Sequence, residues 1–399
     1  MFFNEKIIIG GNGMKKAWSC ILAVCMMVAM FASCTPSTNN NGGEKDVIVI
    51  GMLAPLTGEV ALYGVAAANG AQLAVDEINA NGGINGRQVQ LIIVDEKGDV
   101  TEAVNGYEKL MEQGMDVLLG DVTSKPTLAV AELAAEDGIP MITPTGTAAA
   151  ITDVGPNIFR TCFTDPFQGR TLAVFASDNL GATNVAVMYD TGSDYSAGVA
   201  AAFIEEAGVQ GLNIVAEESY GESDVDFKTQ LTKIINSGAE VIVLPDYYGK
   251  AALVAVQARA LGFTGAIIGP DGFDGVIESV DANNMQVTNN MYYTNHFFDG
   301  DETPVVADFI ANYEAAYGER PLSFAALGYD SVYIIKAAIE DAGEEYTDYA
   351  VLTEAMSNVS VEGVTGTITF DDEGNPIKSV SVIKIEDGQQ TLAAKVSIE

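Results

Sequence analysis

Three stretches of this 399-residue chain set polar groups where they could meet a carboxylate or an ammonium. Gly120-Asp121-Val122-Thr123-Ser124-Lys125-Pro126-Thr127 follows an apolar run. Ser124 there suits a helix N-cap and Pro126 the first helical turn. A helix opening at that point offers free N–H groups and partial positive charge, which suits a carboxylate. The same residues would also make a plain capped helix. Ile142-Thr143-Pro144-Thr145-Gly146-Thr147 puts three hydroxyls within five residues around a proline and a glycine. A carbonyl in so stiff a loop could receive an ammonium while a neighbouring N–H binds a carboxylate; otherwise it is a polar turn. Ile268-Gly269-Pro270-Asp271-Gly272 ends another apolar run with a carboxylate between turn formers, fit to pair with an ammonium or to close an Asx-turn. Tyr63, Tyr195, Tyr247 and Phe324 fall at loop or helix-start positions, where aromatics either line a cleft or fill a core.

Enzyme signatures fall short. No G-x-S-x-G, G-x-x-x-x-G-K-[ST] or H-E-x-x-H occurs. The cluster Gly10-Gly11-Asn12-Gly13 precedes any strand pattern, so it is no phosphate loop. The single histidine, His296, has no partner motif, which leaves little room for histidine-dependent catalysis. Of four cysteines, Cys20, Cys25 and Cys34 sit near the start and Cys162 stands alone in the body. One thiol forms no internal disulfide, and no cluster has metal-ligand spacing. No cofactor and no metal are expected. Nineteen basic residues against 55 acidic ones give a formal charge of −36. That balance argues against nucleic acid, whose phosphates need a basic stripe, and against charge-driven adhesion to anionic lipid. A soluble, non-sticking surface is the plain alternative use of the charge.

The beginning of the chain reads as an address. Met14-Lys15-Lys16 leads an apolar run from Ala17 to Phe31, then Ala32-Ser33-Cys34. A basic start, a short apolar stretch and small residues describe a secretory signal, and the run is short for a bilayer span of roughly 20 residues. Phe31-Ala32-Ser33-Cys34 resembles the lipobox of bacterial lipoproteins, with Phe31 in place of the usual leucine. Cys34 is therefore the expected lipidation site. Residues 1–33 form the signal, with an upstream extension before an expected start at Met14, and 34–45 the lipidated cysteine and flexible tether. Loss of residues 1–33 would remove Lys6, Lys15, Lys16 and Glu5, so the exported domain is more acidic still.

Something must position the polar loops, and the hydrophobic pattern says what. Val47–Leu53 is a near-continuous apolar run, followed by Ala67, Ala71, Ala74, Val75 and Ile78 at helical spacing. Strands Val89–Val94, Val117–Gly120 and Ile139–Thr143 then alternate with helices Thr101–Gln113 and Pro126–Glu136. This rhythm predicts an α/β fold with a parallel sheet covered on both faces. It restarts after Arg160, with strands Val185–Tyr189, Ile214–Ser219, Val241–Leu244 and Ala266–Ile268 between helices near Ser196–Glu206, Val225–Asn236 and Lys250–Leu261. A second sheet of the same type follows, without sequence repeat. Helices Val305–Tyr317 and Phe324–Ala342 and strands near Thr367–Phe370 and Ser379–Ile385 complete the chain. Two doubly wound parallel-sheet lobes leave a cleft at the carboxyl ends of their strands.

Taken together these segments resemble the branched-chain amino acid (leucine/isoleucine/valine) binding proteins of ABC importers, of periplasmic binding protein type I fold. The residues that carry the likeness are Gly51-Met52-Leu53-Ala54-Pro55-Leu56-Thr57-Gly58, Tyr63-Gly64, and the helix ending Asp76-Glu77-Ile78-Asn79-Ala80-Asn81-Gly82-Gly83-Ile84-Asn85-Gly86. Gly138-Ile139-Pro140-Met141-Ile142-Thr143-Pro144, Ile158-Phe159-Arg160-Thr161 and Gly269-Pro270-Asp271-Gly272 continue it in order. The likeness implies a three-strand hinge crossed near Thr164, Asn295 and Phe370. Lobe 1 would hold residues 46–164 plus 296–369, and lobe 2 residues 165–295 plus 370–399.

By position, Ser124 resembles the family serine that hydrogen-bonds the ligand carboxylate, and Thr145 and Thr147 the loop positions that grip carboxylate and ammonium. Tyr195 and Tyr247 match second-lobe aromatics that close over the ligand. Asp271 matches the acidic residue that pairs with the ammonium, where some relatives carry glutamate. Tyr63, Val122 and Phe324 would line the side-chain pocket; Lys125, near the proposed carboxylate site, would face solvent or else add a charge contact to the ligand. The resemblance implies a small amino-acid ligand, ABC permease and ATPase subunits as partners, a membrane contact through the lipid anchor, a periplasmic or cell-surface location and no catalysis. The rival expectation is a ligand-sensing domain for an amino-acid-like, amide or urea solute; the anchor, with no membrane-spanning or signalling segment before Glu399, favours transport. A hydrolase would need a base beside Ser124, which the sequence does not offer.

Overall fold

The computed structural model describes residues 47–396. The expected signal, Cys34, the expected tether and residues 397–399 lie outside the described residues. Strand β1 (Val47–Ala54) is buried at all positions but its first, as a strand covered on both faces must be. Its side chains alternate between two cores: Ile48, Ile50, Met52 and Ala54 enter one, Val49 and Leu53 the other. Helix α1 (Ala61–Ala80) and strand β2 (Gln88–Asp95) come next, then α2 (Val100–Glu112), β3 (Val117–Leu119), α3 (Ser124–Asp137), β4 (Met141–Thr143), α4 (Ala150–Asp153) and β5 (Ile158–Arg160). The five strands are parallel in the order β2-β1-β3-β4-β5. Helix α1 covers one face and α2 and α3 the other, so both α1 and the α3 amino terminus rise from the carboxyl edge of the sheet.

The second lobe runs α5 (Asp165–Asp178), β6 (Asn184–Asp190), α6 (Asp194–Gln210), β7 (Asn213–Tyr220), α7 (Lys228–Asn236), β8 (Val241–Val243), α8 (Tyr248–Ala260), β9 (Ala266–Gly269) and β10 (Met291–Asn295). The chain then returns to the first core with α9 (Pro304–Tyr317), α10 (Ser323–Ala342) and α11 (Tyr349–Ser357), whose Phe309, Ile335 and Leu352 share a cluster with Ile48. Helices α1 and α10 cross very tightly. A Cβ at Gly70 would lie 1.9 Å from the Ala325 carbonyl oxygen, and one at Gly328 2.2 Å from that of Ala67. Only glycine permits that approach. Strands β11 (Val361–Gly363) and β12 (Gly366–Ile368) form a hairpin, its turn held by the buried Asp330 carboxylate, which accepts from the Val364 and Thr365 amides at 2.8 Å each.

The last strands correct one expectation. β13 (Val380–Glu386) and β14 (Gln389–Val396) join the second sheet antiparallel, in the order β14-β13-β10-β9-β8-β6-β7, so that sheet is parallel in its body but not at this edge. Asp387 and Gly388 connect them with φ of 50° and 69°, the two-residue Asp-Gly turn that matches hairpin twist. Helix α5 is absent from the sequence reading. Thr164 caps it by accepting from the Phe167 amide, and Pro166 lies in its first turn. Its buried face includes Asp165, Gln168 and Thr171, polar residues that break the apolar period by which helices are recognised.

Candidate functional site

The carboxyl edges of the two sheets face one another, and every residue singled out for the site lies there. Tyr63, Val122, Ser124, Thr145, Thr147, Tyr195, Tyr247, Asp271 and Phe324 line one cavity, together with Thr123 and Gly272. In this closed arrangement the cavity measures only about 10 Å³, roughly one water's worth of space. A larger vestibule of about 630 Å³ opens outside it and shares Thr123, Ser124, Tyr195 and Tyr247 with the inner cavity. Lys125 is exposed on that vestibule, the solvent-facing position expected of it.

The first wall comes from the β3–α3 and β4–α4 loops. The cap of helix α3 lies one residue earlier than expected and the helix starts two residues before Pro126: Thr123 occupies the cap position, without a side-chain cap bond, and Ser124 is the first helical residue. Ser124 is therefore a first-turn residue rather than the N-cap. Its Oγ accepts from the Ala148 amide at 3.3 Å instead. Ser124 and Lys125 supply the first-turn amides of α3, since Pro126 has none, and the Ser124 amide donates to the Tyr247 hydroxyl across the cleft. Thr145 donates its hydroxyl to the Val122 carbonyl at 2.6 Å, and Thr143 donates to that of Asp121 at 2.6 Å, which ties the two loops together. The loop is shaped from beneath by Arg160, fully buried, whose guanidinium donates to the carbonyls of Gly146, Ala148 and Ala149 and to the Thr152 hydroxyl at 2.9–3.1 Å. Cys162, a free and buried thiol, donates to the Gly146 carbonyl at 3.3 Å, and burial pushes its pKa up to about 12.

The second wall is a side-chain network around Asp271, which is 2% exposed. Its Oδ1 accepts from the Tyr195 hydroxyl at 2.7 Å and from Gln168 Nε2 at 3.0 Å. Gln168 Oε1 in turn accepts from the Asp271 amide at 2.8 Å and the Thr294 hydroxyl at 2.7 Å. Asp271 Oδ2 lies 3.1 Å from His296 Nε2. Behind it, Asp165 donates its amide to the Thr147 carbonyl at 2.9 Å, while among the described residues neither carboxyl oxygen has a hydrogen-bond partner. Burial holds that carboxyl's pKa well above the usual range.

Aromatic rings and several hydroxyls close the lobes on each other. Tyr63 stacks on Phe324 with centroids 4.1 Å apart, and Tyr195 stacks on Tyr247 at 5.0 Å. The Tyr63 hydroxyl crosses the cleft, donating to the Gly272 carbonyl at 2.5 Å and accepting from the Tyr248 amide at 3.1 Å. The Asp274 carboxylate accepts from the Ser323 amide and hydroxyl at 2.8 and 2.7 Å, capping α10 from the opposite lobe. Gln168 went unnoticed in the sequence, and Arg160 and His296, though named there, were given no part in the site. The Thr164–Asp165–Pro166 helix start was the available signal for Gln168; nothing near His296 announces its partner 25 residues away.

Comparisons with known proteins agree with this architecture. The family described as periplasmic binding protein matches residues 47–390. The Leu/Ile/Val-binding protein BraC3 of Rhizobium johnstonii is 33% identical over 347 residues, covering 86% of this chain and 92% of that one. The crystal structure of the branched-chain amino acid transporter substrate binding protein LivJ from Streptococcus pneumoniae, in complex with isoleucine, superposes with a TM-score of 0.81 at 33% identity over 88% of this chain and 100% of that one. An ABC transporter solute binding protein from R. palustris in complex with benzoate gives 0.79 at 25% identity over 88% and 98%.

Proposed function

This chain belongs to the periplasmic binding protein family, and we propose that it is the extracytoplasmic solute-binding component of an ABC importer, capturing a branched-chain or related amino acid between its lobes. The family is one of solute-binding proteins; on this reading the chain catalyses no reaction. The observation that carries the reading is the opposition of the two walls. One offers hydroxyls and the amino-terminal turn of α3; the other offers a buried carboxylate already held in place by Gln168, Tyr195 and His296. A zwitterion needs both at once, since an uncompensated buried charge costs several kcal/mol.

Ser124, Thr145 and Thr147 take the ligand carboxylate, Asp271 its ammonium, and Tyr63, Val122 and Phe324 its side chain, with Tyr195 and Tyr247 closing over it. Charge-assisted hydrogen bonds are worth about 1.5–3 kcal/mol each, so four or five of them support micromolar binding, about −8 kcal/mol. The present cavity has no room for such a solute, so the lobes part to admit it and close behind it. The hinge lies where the chain passes between sheets, near Thr164, Asn295 and a third point that falls between Ile377 and Val380 rather than at Phe370, because Gly374 and Phe370 still bond and pack on Arg160 and Phe159 of the first lobe. Membrane permease and ATPase subunits receive the solute, and acylation of Cys34 keeps the protein at the membrane. For Cys34→Ser we expect soluble release in place of membrane fractionation; unchanged fractionation would place the anchor elsewhere.

A thermal-shift screen of the purified protein against the amino acids, simple amides and urea tests the assignment. Binding to the native state stabilises it by RT ln(1 + [L]/Kd), about 2.7 kcal/mol at a hundredfold excess over Kd. Leucine, isoleucine or valine should raise the melting temperature by several degrees. A shift with amides or urea alone would defeat the amino-acid reading.

A further inference from the structure

His296 stands at the meeting point of the binding wall and the hinge. It directly follows β10 and packs its ring on Phe163, beside the first crossing segment, at 3.7 Å between centroids and 18° between planes. Its side chain is fully buried, and its Nε2 faces Asp271 Oδ2 at 3.1 Å. The Asp271 carboxylate is an acceptor, so Nε2 carries the hydrogen; Nδ1 has no partner among the described residues and is left as the bare nitrogen. A neutral imidazole in this tautomer orients the carboxylate without cancelling its charge. An imidazolium would cancel it.

We infer that His296 is a positioning residue for Asp271, and that its protonation discharges the ligand by supplying Asp271 with an internal cation in place of the ligand's ammonium. The inference rests on the amino-acid reading above. Burial lowers the imidazole's pKa, with Asp271 opposing that effect and Lys378 adding to it. The other groups around the pair do not substitute for it. Tyr195, Tyr247 and Tyr63 are held neutral by burial; Asp165, on α5, has its pKa raised by burial; the Arg160 guanidinium is committed to loop carbonyls. Linkage gives the sign. A ligand ammonium beside Asp271 disfavours the imidazolium, so binding expels the proton wherever the unliganded protein holds it. Affinity is then full above the imidazole's unliganded pKa and falls below it, by up to about ten-fold per pH unit.

His296 is the only histidine in the chain, so its ring resonances can be followed alone. The test is an NMR titration of that imidazole in the full chain from pH 8 to pH 4.5, with and without saturating isoleucine, beside isoleucine affinities at each pH for wild type, His296→Gln and His296→Leu. Isoleucine should lower the imidazole's pKa by about one unit or more. Wild-type Kd should climb below the unliganded value. His296→Gln, which keeps a donor for Asp271 but cannot ionise, should bind within about three-fold of wild type at pH 8 and lose the climb, whereas His296→Leu should bind about ten-fold more weakly at every pH. An imidazole that titrates alike with and without isoleucine, or an equal pH slope in His296→Gln, would overturn the inference while leaving the binding reading intact. Failure of wild type to bind isoleucine at pH 8 would sink the binding reading first, and this inference with it.

Discussion

On the first wall of the cleft, Ser124, Thr145 and their neighbours bond to the backbone of adjoining loops; on the second, Asp271 is met by side chains from three separate elements. The first wall is held by local bonds between neighbouring loops, and its Ser124 amide donates to the Tyr247 hydroxyl of the other lobe. The second holds the Asp271 carboxylate through a network of buried side chains, which on the proposed reading serves binding as well as stability. A substitution on the first wall, where each side chain makes a single local bond, should therefore change chiefly affinity, and on the second affinity and stability together.

The largest effect belongs to the second wall. Asp271→Ala should abolish measurable amino-acid binding, a loss of at least about a hundred-fold. It should also lower the melting temperature, because Tyr195, Gln168 and His296 each lose a buried acceptor at about 1–3 kcal/mol apiece before relaxation. Intact stability with lost binding would mean the network is looser than drawn. Ser124→Ala, on the first wall, should weaken binding by about ten- to a hundred-fold, one charge-assisted hydrogen bond, and lower the unliganded melting temperature much less than Asp271→Ala, since only the Ala148 amide, at 3.3 Å, loses its acceptor. A comparable loss of stability there would erase the distinction between the walls.

Tyr63→Phe acts between the walls. Closure would then strand the Gly272 carbonyl and the Tyr248 amide, at about 1 kcal/mol, so isoleucine affinity should fall about five-fold, mainly through faster release. Unchanged release in stopped-flow displacement would show that the hydroxyl does not hold the lobes. The smallest expected effect on binding lies beneath the first wall. Burial pushes Glu96 up from 4.5 to about 7, beside Asp121, whose own pKa burial and Glu96 raise. A raised carboxyl stabilises the fold fully below its unfolded value and loses that contribution as pH climbs through about 7. The melting temperature should therefore drop between pH 5 and pH 8, and Glu96→Gln should flatten that drop with little change in affinity. An unaltered pH profile in the variant would assign the drop to other groups.

The contrast between walls also explains what could be read in advance. The first-wall loops are contiguous stretches whose turn and cap chemistry is local, so the loop around Thr145 and Thr147 was legible, and the start of α3 to within two residues. Asp271 was legible as a strand-end carboxylate, and both parallel sheets as an apolar rhythm. The partners of Asp271 were not. Gln168 and Tyr195 lie 103 and 76 residues from it in the chain, and no local pattern encodes such a meeting. Helix α5 was hidden for the same reason, since it buries polar residues to serve the site. The β13–β14 hairpin was within reach through its Asp-Gly turn.

The division of labour between the walls is tested most directly by calorimetric titration of the protein with isoleucine and with the 2-keto acid of the same carbon skeleton, which keeps the carboxylate and side chain but lacks the ammonium. If Asp271 reads the ammonium, isoleucine binds at micromolar Kd or tighter and the keto acid at least about a hundred-fold more weakly. Equal affinity for the two would contradict the account, and would make this a carboxylate-binding protein whose buried aspartate serves the fold alone.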